Sequence, residues 1–264
     1  MTGHRDARRA MFAASVVWCV ALAPFPGSMA GVLPHRVAPA DTGEALTRAQ
    51  VLDRLARATE RSPADLGGAD LSGLDLSGVD FKQANLAGAR LVRTNFTRAK
   101  MFGVTLSHAV ARDADFTGAV LDVAVMRGTD LTHAKLRDAS LYATILIGAD
   151  LTGADLTRAR VIAALTNAKL VRATLSHANF GADPGNQPMG VMFTNLTDSD
   201  LSGADLAGAN LRKASLVRAN LTGADLAGAD LTGANLAGTV MRSIRGRATI
   251  VGLDKAKNVD QAVW

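Results

Sequence analysis

One cysteine, Cys19, occurs in 264 residues, so no disulfide can form within the chain and the fold must stand on packing. Aromatic residues make up 4% of a sequence that is 48% hydrophobic. Irregular cores use large rings to fill uneven space. A core of Ala, Leu and Val implies small, repeated spaces instead. Proline is scarce at 7 residues, while glycine is frequent at 25. No apolar run reaches the roughly 20 residues of an ordinary membrane-spanning helix. Nucleophile-elbow, P-loop and Rossmann motifs are all missing, so the sequence implies no cofactor and no catalytic residues.

Charge of one sign is also missing from the body of the chain. The formal total is +5. Residues 64–241 nevertheless hold 16 basic against 17 acidic groups, and residues 242–264 hold five against two. A basic stripe that could follow a phosphate backbone is not evident, so no nucleic-acid partner is expected.

The N-terminus reads as an export signal over residues 1–30. Arg5, Arg8 and Arg9 form a positive start, Ala10 to Ala23 an apolar run, and Ser28-Met29-Ala30 a small-residue cleavage site. This predicts a periplasmic or secreted protein beginning at Gly31. The alternative is an uncleaved N-terminal membrane anchor. Arg8-Arg9 resembles a twin-arginine signal loosely.

Residues 31–63 read as a linker and a short capping helix. The pattern predicts helix over 41–61, with Asp41 and Glu44 as a capping box and Pro63 as the stop. Leu46, Ala49, Leu52, Leu55 and Ala56 would share one face.

From Pro63 the dominant feature is a period of five. Leu66, Leu71, Leu76, Phe81, Leu86, Leu91 and Phe96 open a series that runs to Val161. A small residue, usually Ala, lies two positions before each of these centres, Asp or Asn often stands between, and Gly is common two positions after. Five fits neither the helical period of 3.6 nor the strand period of 2. It fits a chain that turns a corner every five residues, so that four sides make a coil of twenty. The centre and the small residue before it face inward, and the corner favours Gly because it needs positive φ. Columns twenty apart stay apolar, as in Leu76, Phe96, Phe116, Leu136 and Leu156. The phase loses one residue after Val161, breaks at 181–190, and resumes at Leu196 through Met241. Counting centres gives between eight and nine coils, about 40 Å long at the usual inter-strand spacing. Residues 242–264 follow as a C-terminal cap or tail.

Runs such as Ala204-Asp205-Leu206-Ala207-Gly208 and Ala219-Asn220-Leu221-Thr222-Gly223 resemble the pentapeptide-repeat family. The resemblance covers residues 64–241 and implies an all-β fold, a right-handed quadrilateral β-helix. Some members of that family mimic duplex DNA and bind DNA gyrase. Here a near-neutral body and an export signal oppose that role. The reading is a non-enzymatic structural or protein-interaction scaffold in the bacterial cell envelope, with a DNA-mimicking gyrase-binding protein as the alternative. A protein partner is expected, a homodimer is compatible, and membrane contact would come only through an uncleaved signal or the basic tail.

Within the repeat, His108, His133 and His177 fall on different sides of the coil, so no metal site is expected. Loop 181–190 is the candidate partner-binding segment, with Asp183, Asn186 and Gln187 as polar groups and Met189 as an apolar anchor. The alternative is an insertion that only repairs the phase.

Overall fold

A computed structural model describes residues 43–59, 61–182 and 192–264. The proposed signal (1–30), the linker to residue 42 with Asp41, and the loop residues Asp183, Asn186, Gln187 and Met189 lie outside them.

The repeat builds a four-sided coil. Parallel single-residue bridges join Asp65 to Asn85, Asp70 to Arg90, Asp75 to Asn95 and Asp80 to Lys100, and the same step of twenty continues up the molecule. Four columns result, here called faces 1 to 4, beginning at Asp65, Asp70, Asp75 and Asp80. Each side carries one bridging residue, too few to form an extended strand.

The repeat sequence accounts for the local geometry. The centre N–H donates to the next coil, as from Leu66 to the Asn85 carbonyl at 2.8 Å, and the bridging N–H donates to the coil before, as from Asn85 to Ala64 at 2.9 Å. A tight turn closes each corner, with Ala69 N–H donating to the Leu66 carbonyl at 3.2 Å. The first corner residue would be left without an acceptor, and the bridging Asp or Asn side chain supplies one. Asp65 accepts from Gly67 N–H at 3.0 Å and Asp115 from Thr117 N–H at 2.9 Å. This local capping is why Asp and Asn recur before the centre.

The centres and the small residues two before them line a continuous interior in which Leu66, Phe96, Leu136, Ala134 and Leu206 are fully buried. Phe96 and Phe116 stack with ring centroids 4.9 Å apart, and Phe81 meets Phe96 edge-on at 5.6 Å. Where Thr replaces the small Ala it donates back one coil. Thr129 Oγ1 reaches the Leu106 carbonyl at 2.8 Å and Thr144 Oγ1 the Leu121 carbonyl at 2.9 Å. Its hydroxyl is thereby satisfied at no expense in volume.

The phase slip is one short side. Ile145 pairs with Ala164 and Arg160 with Asn179, each 19 residues on, and Ile162 turns inward at the shortened corner. The following coil is 31 residues long, Ala164 pairing with Asn195, so the insertion adds eleven and the faces realign.

Two segments differ from expectation. Helix α1 spans Arg48–Arg57 rather than 41–61. Thr47 is its N-cap, and Thr47 and Gln50 form the capping box assigned above to Asp41 and Glu44. Glu44 and Ala45 are extended instead, because Ala45 pairs with Asp70 and the Glu44 carbonyl accepts from Asp70 N–H at 3.0 Å. The helix buries Val51 and Leu55, whereas Ala49 and Ala56 are exposed. It ends at Ala58, well before Pro63.

The C-terminal segment continues the ladder. Arg245, Val251, Lys257 and Val263 pair with Asp225, Asp230, Asn235 and Val240, adding four rungs. Their sides hold six residues, each with a short 3-10 turn at 247–249, 253–255 and 259–261. Gly246, Gly252 and Asn258 stand in left-handed conformations before these turns. At Gly246 a Cβ would lie 2.4 Å from the Ala227 backbone, so no larger residue fits. Leu253, Val259 and Ala262 lie partly buried against the end of the core.

Candidate functional site: one uncharged face

Three faces carry interlocking charges. On face 2, Arg112 and Lys169 pair with Asp130 and Asp150, at 2.5 and 3.6 Å. On face 3, Lys135 pairs with Asp115 at 3.5 Å, and Arg137 reaches Asp155 at 3.0 Å. Arg212 meets Asp230 on face 4 at 3.1 Å. At the corner after face 3, Arg158 grips Asp138 with two bonds of 2.8 and 2.7 Å. The Arg158 bonds and charge hold the Asp138 carboxyl below the usual carboxylate range. Partial burial pushes Asp155 up, but donation from Thr157 and the Arg137 charge outweigh it and leave that carboxyl low. These carboxylates are ionised structural groups.

Face 1 differs. From Asn85 to Asn235 its column reads Asn85, Thr105, Val125, Ile145, Ala164, Asn195, Ser215 and Asn235, with no charge in eight consecutive rungs. That is a column about 34 Å long at the usual inter-strand spacing, bordered on its far side by Arg127 and by the Arg218–Asp198 pair at 2.6 Å. The middle is apolar, with Val125 and Ile145 half-buried. The corner leading into this face carries Phe102, 53% exposed, Val123, 39% exposed, and, where the chain re-enters the coil, Phe193, 50% exposed. Tyr142 stands at the same corner with the Arg160 guanidinium 4.3 Å over its ring. Contiguous exposed apolar patches are characteristic of contact sites. No ion pair among the described residues has a member in the uncharged column.

The repeat model decides the family: eight copies of the pentapeptide repeat match residues 64–101, 99–138, 134–162 and 193–226, half of the chain. This chain belongs to the pentapeptide-repeat family. Its four-sided coil is consistent with the right-handed β-helix of pentapeptide-repeat proteins. Among solved structures it is similar to HetL of the cyanobacterium Nostoc, a pentapeptide-repeat protein involved in regulating heterocyst differentiation. Identity is 28% over 83% of this chain and 94% of that one, with a TM-score of 0.39. It is also similar in fold to QnrB1, a plasmid-mediated fluoroquinolone resistance protein. There identity is 19% over 72% of this chain and 93% of that one, with a TM-score of 0.45. A pentapeptide-repeat protein of the Arabidopsis thylakoid lumen matches at 26% identity over 46% of this chain and 73% of that one, with a TM-score of 0.18. No curated protein matches this sequence.

The pentapeptide-repeat coil puts His108, His133 and His177 at three different corners, each in the left-handed position. Each ring lies over a glycine of the next coil: Gly128, Gly153 and Gly208. Among the described residues no group of three or more His, Cys, Asp or Glu is placed to hold a metal. An open cleft of about 480 Å³ lies between the end of α1 and Phe102, with Asp80, Lys82 and Gln83 on its walls. The face 1 column escapes a reading that seeks motifs. Sorting the bridging residues by twenties would have exposed it.

Proposed function

We propose that this pentapeptide-repeat protein is a non-enzymatic interaction scaffold of the bacterial cell envelope that docks a protein partner along face 1. The uncharged, centrally apolar column from Asn85 to Asn235 carries the reading. On the other three faces a partner would have to disrupt or match paired charges within the bridging columns, at a desolvation cost; along the face 1 column an apolar partner meets none, the Arg218–Asp198 pair standing at the corner beyond it. Family membership supports the scaffold role. The envelope location is supported by the Arg5, Arg8 and Arg9 cluster, the apolar run after it and the small residues before Gly31. We read α1 as the cap of the first coil, since Val51 and Leu55 join the core beneath it. The insertion after Phe180 leads back into the coil just before Phe193, and its residues Asp183, Asn186, Gln187 and Met189 are proposed as a second partner-binding segment.

The test is a Val125→Arg/Ile145→Arg variant, compared with the parent by crosslinking and pull-down from envelope extracts. Both positions point outward, so the fold is retained while partner capture falls at least tenfold. Unchanged capture overturns face 1 as the docking surface. Fractionation with N-terminal sequencing tests the location separately, and an intact Met1 in the cytoplasm would overturn it.

A further inference from the structure

We propose that the C-terminal coil docks end-on against an anionic lipid bilayer. This goes beyond the scaffold reading and does not depend on face 1 having a partner.

Of the seven exposed large hydrophobics among the described residues, three lie in the last coil: Val251 at 52%, Val263 at 38% and Trp264 at 38%. Val251 belongs to face 4 and Val263 to face 2, which are opposite sides of the coil. A partner lying along the side of the rod reaches only one of them. A surface lying across the end reaches both.

The charges around this rim are mostly of one sign. Residues 242–264 hold five basic groups and two acidic ones, Asp254 and Asp260, all seven exposed. Arg245 is engaged by Asp225 at 3.2 Å. Arg242, Lys255 and Lys257 enter no ion pair among the described residues, whereas cations of the body such as Arg158, Arg212 and Arg218 are paired. The Arg247 guanidinium lies 3.9 Å over the Trp264 ring. That pairing puts an amphipathic indole and a cation at one point, the combination that settles at a lipid headgroup layer.

The geometry selects among partners that would accept this charge. Duplex nucleic acid would pair with the lysines but leave Val251, Val263 and Trp264 in water. A second copy placed end to end would oppose Arg242, Lys255 and Lys257 to the same residues. A bilayer with anionic headgroups buries the apolar groups and neutralises the cations together.

The experiment uses the full chain in a Trp18→Phe background, which leaves Trp264 as the only indole. Vesicles of phosphatidylglycerol and phosphatidylcholine, with brominated acyl chains, quench an indole only where it enters the bilayer. A chain held by its N-terminal apolar run alone would therefore leave Trp264 bright. We expect quenching and a blue shift with anionic vesicles and neither with pure phosphatidylcholine. In Arg242→Glu/Lys255→Glu/Lys257→Glu the partitioning read by Trp264 falls on the order of 100-fold. If that variant melts early, raising the parent to about 1 M salt, where the Debye length is about 3 Å, should remove the quenching. Unquenched Trp264 on anionic vesicles overturns the proposal, as does equal quenching on neutral ones. Salt-sensitive binding to duplex DNA without vesicle quenching overturns it in favour of nucleic acid.

Discussion

Replacing Leu136 by Ala measures what one interior position is worth. Leu136 is fully buried in the column that holds Phe116 below and Leu156 above. Its removal loses apolar burial and leaves a cavity, together about 2–5 kcal/mol in compact cores. The upper half applies when the surroundings cannot collapse. Here the backbone bonds from Leu136 to Asp155 and from Phe116 to Lys135, both 2.7 Å, hold the coils at fixed spacing, so about 3–4 kcal/mol is expected. For a chain of this size that lowers the melting temperature by about 6–16 °C. The control is Arg137→Ala, one residue on. It forfeits a half-exposed ion pair with Asp155 and should lose no more than about 1 kcal/mol. Thermal melts followed by circular dichroism compare the two directly. Equal losses, or less than about 1 kcal/mol from Leu136→Ala, would refute the assigned inward and outward positions.

Gly153→Ala should destabilise by more than the roughly 1–2 kcal/mol of a left-handed residue, because the new Cβ would sit 2.5 Å from His133 Nδ1. His133→Ala should recover the steric part, and a double-mutant cycle showing no coupling would contradict the stacking of ring on glycine. At Asp115 and Asp150 partial burial raises the carboxyl, but Thr117 with Lys135, and Thr152 with Lys169, outweigh it and lower both. A folded-state pKa below the unfolded value means this stabilisation is complete above about pH 4 and fades as pH falls through the folded value. Melting temperature should therefore hold from pH 7 to about 4 and drop below it; a rise on acidification would reverse the assigned sign.

Much of the coil was legible because a residue's role repeats with its position. Leu66 and Leu206 occupy the same environment, so one misreading would have failed everywhere, and the single short side at Val161 showed as a change of phase. Where the repeat stops, the sequence stops informing in the same way. Gly246, Gly252 and Asn258 occupy places where Leu would be sought, and their spacing of six hides the last coil from a template of five. The helix start failed through competition. Asp41 and Glu44 fit a capping box as well as Thr47 and Gln50 do, and only the pairing of Ala45 with Asp70 decides between them. Ion pairs were partly recoverable. Arg158 and Asp138 stand twenty apart in one column, whereas Arg112 and Asp130 stand eighteen apart and meet only by reaching sideways along one face.

The step of twenty also determines which length changes this molecule can absorb. Excising residues 125–144 would shorten the rod by one storey and leave every column in place. Excising five residues would keep each corner and each buried centre, yet turn everything downstream by a quarter revolution. The neutral strip would then break and continue on a neighbouring side, above charges it never faced. Such a protein could fold well and still present no coherent surface, so its length is quantised by what it must display, in units four times larger than its folding needs.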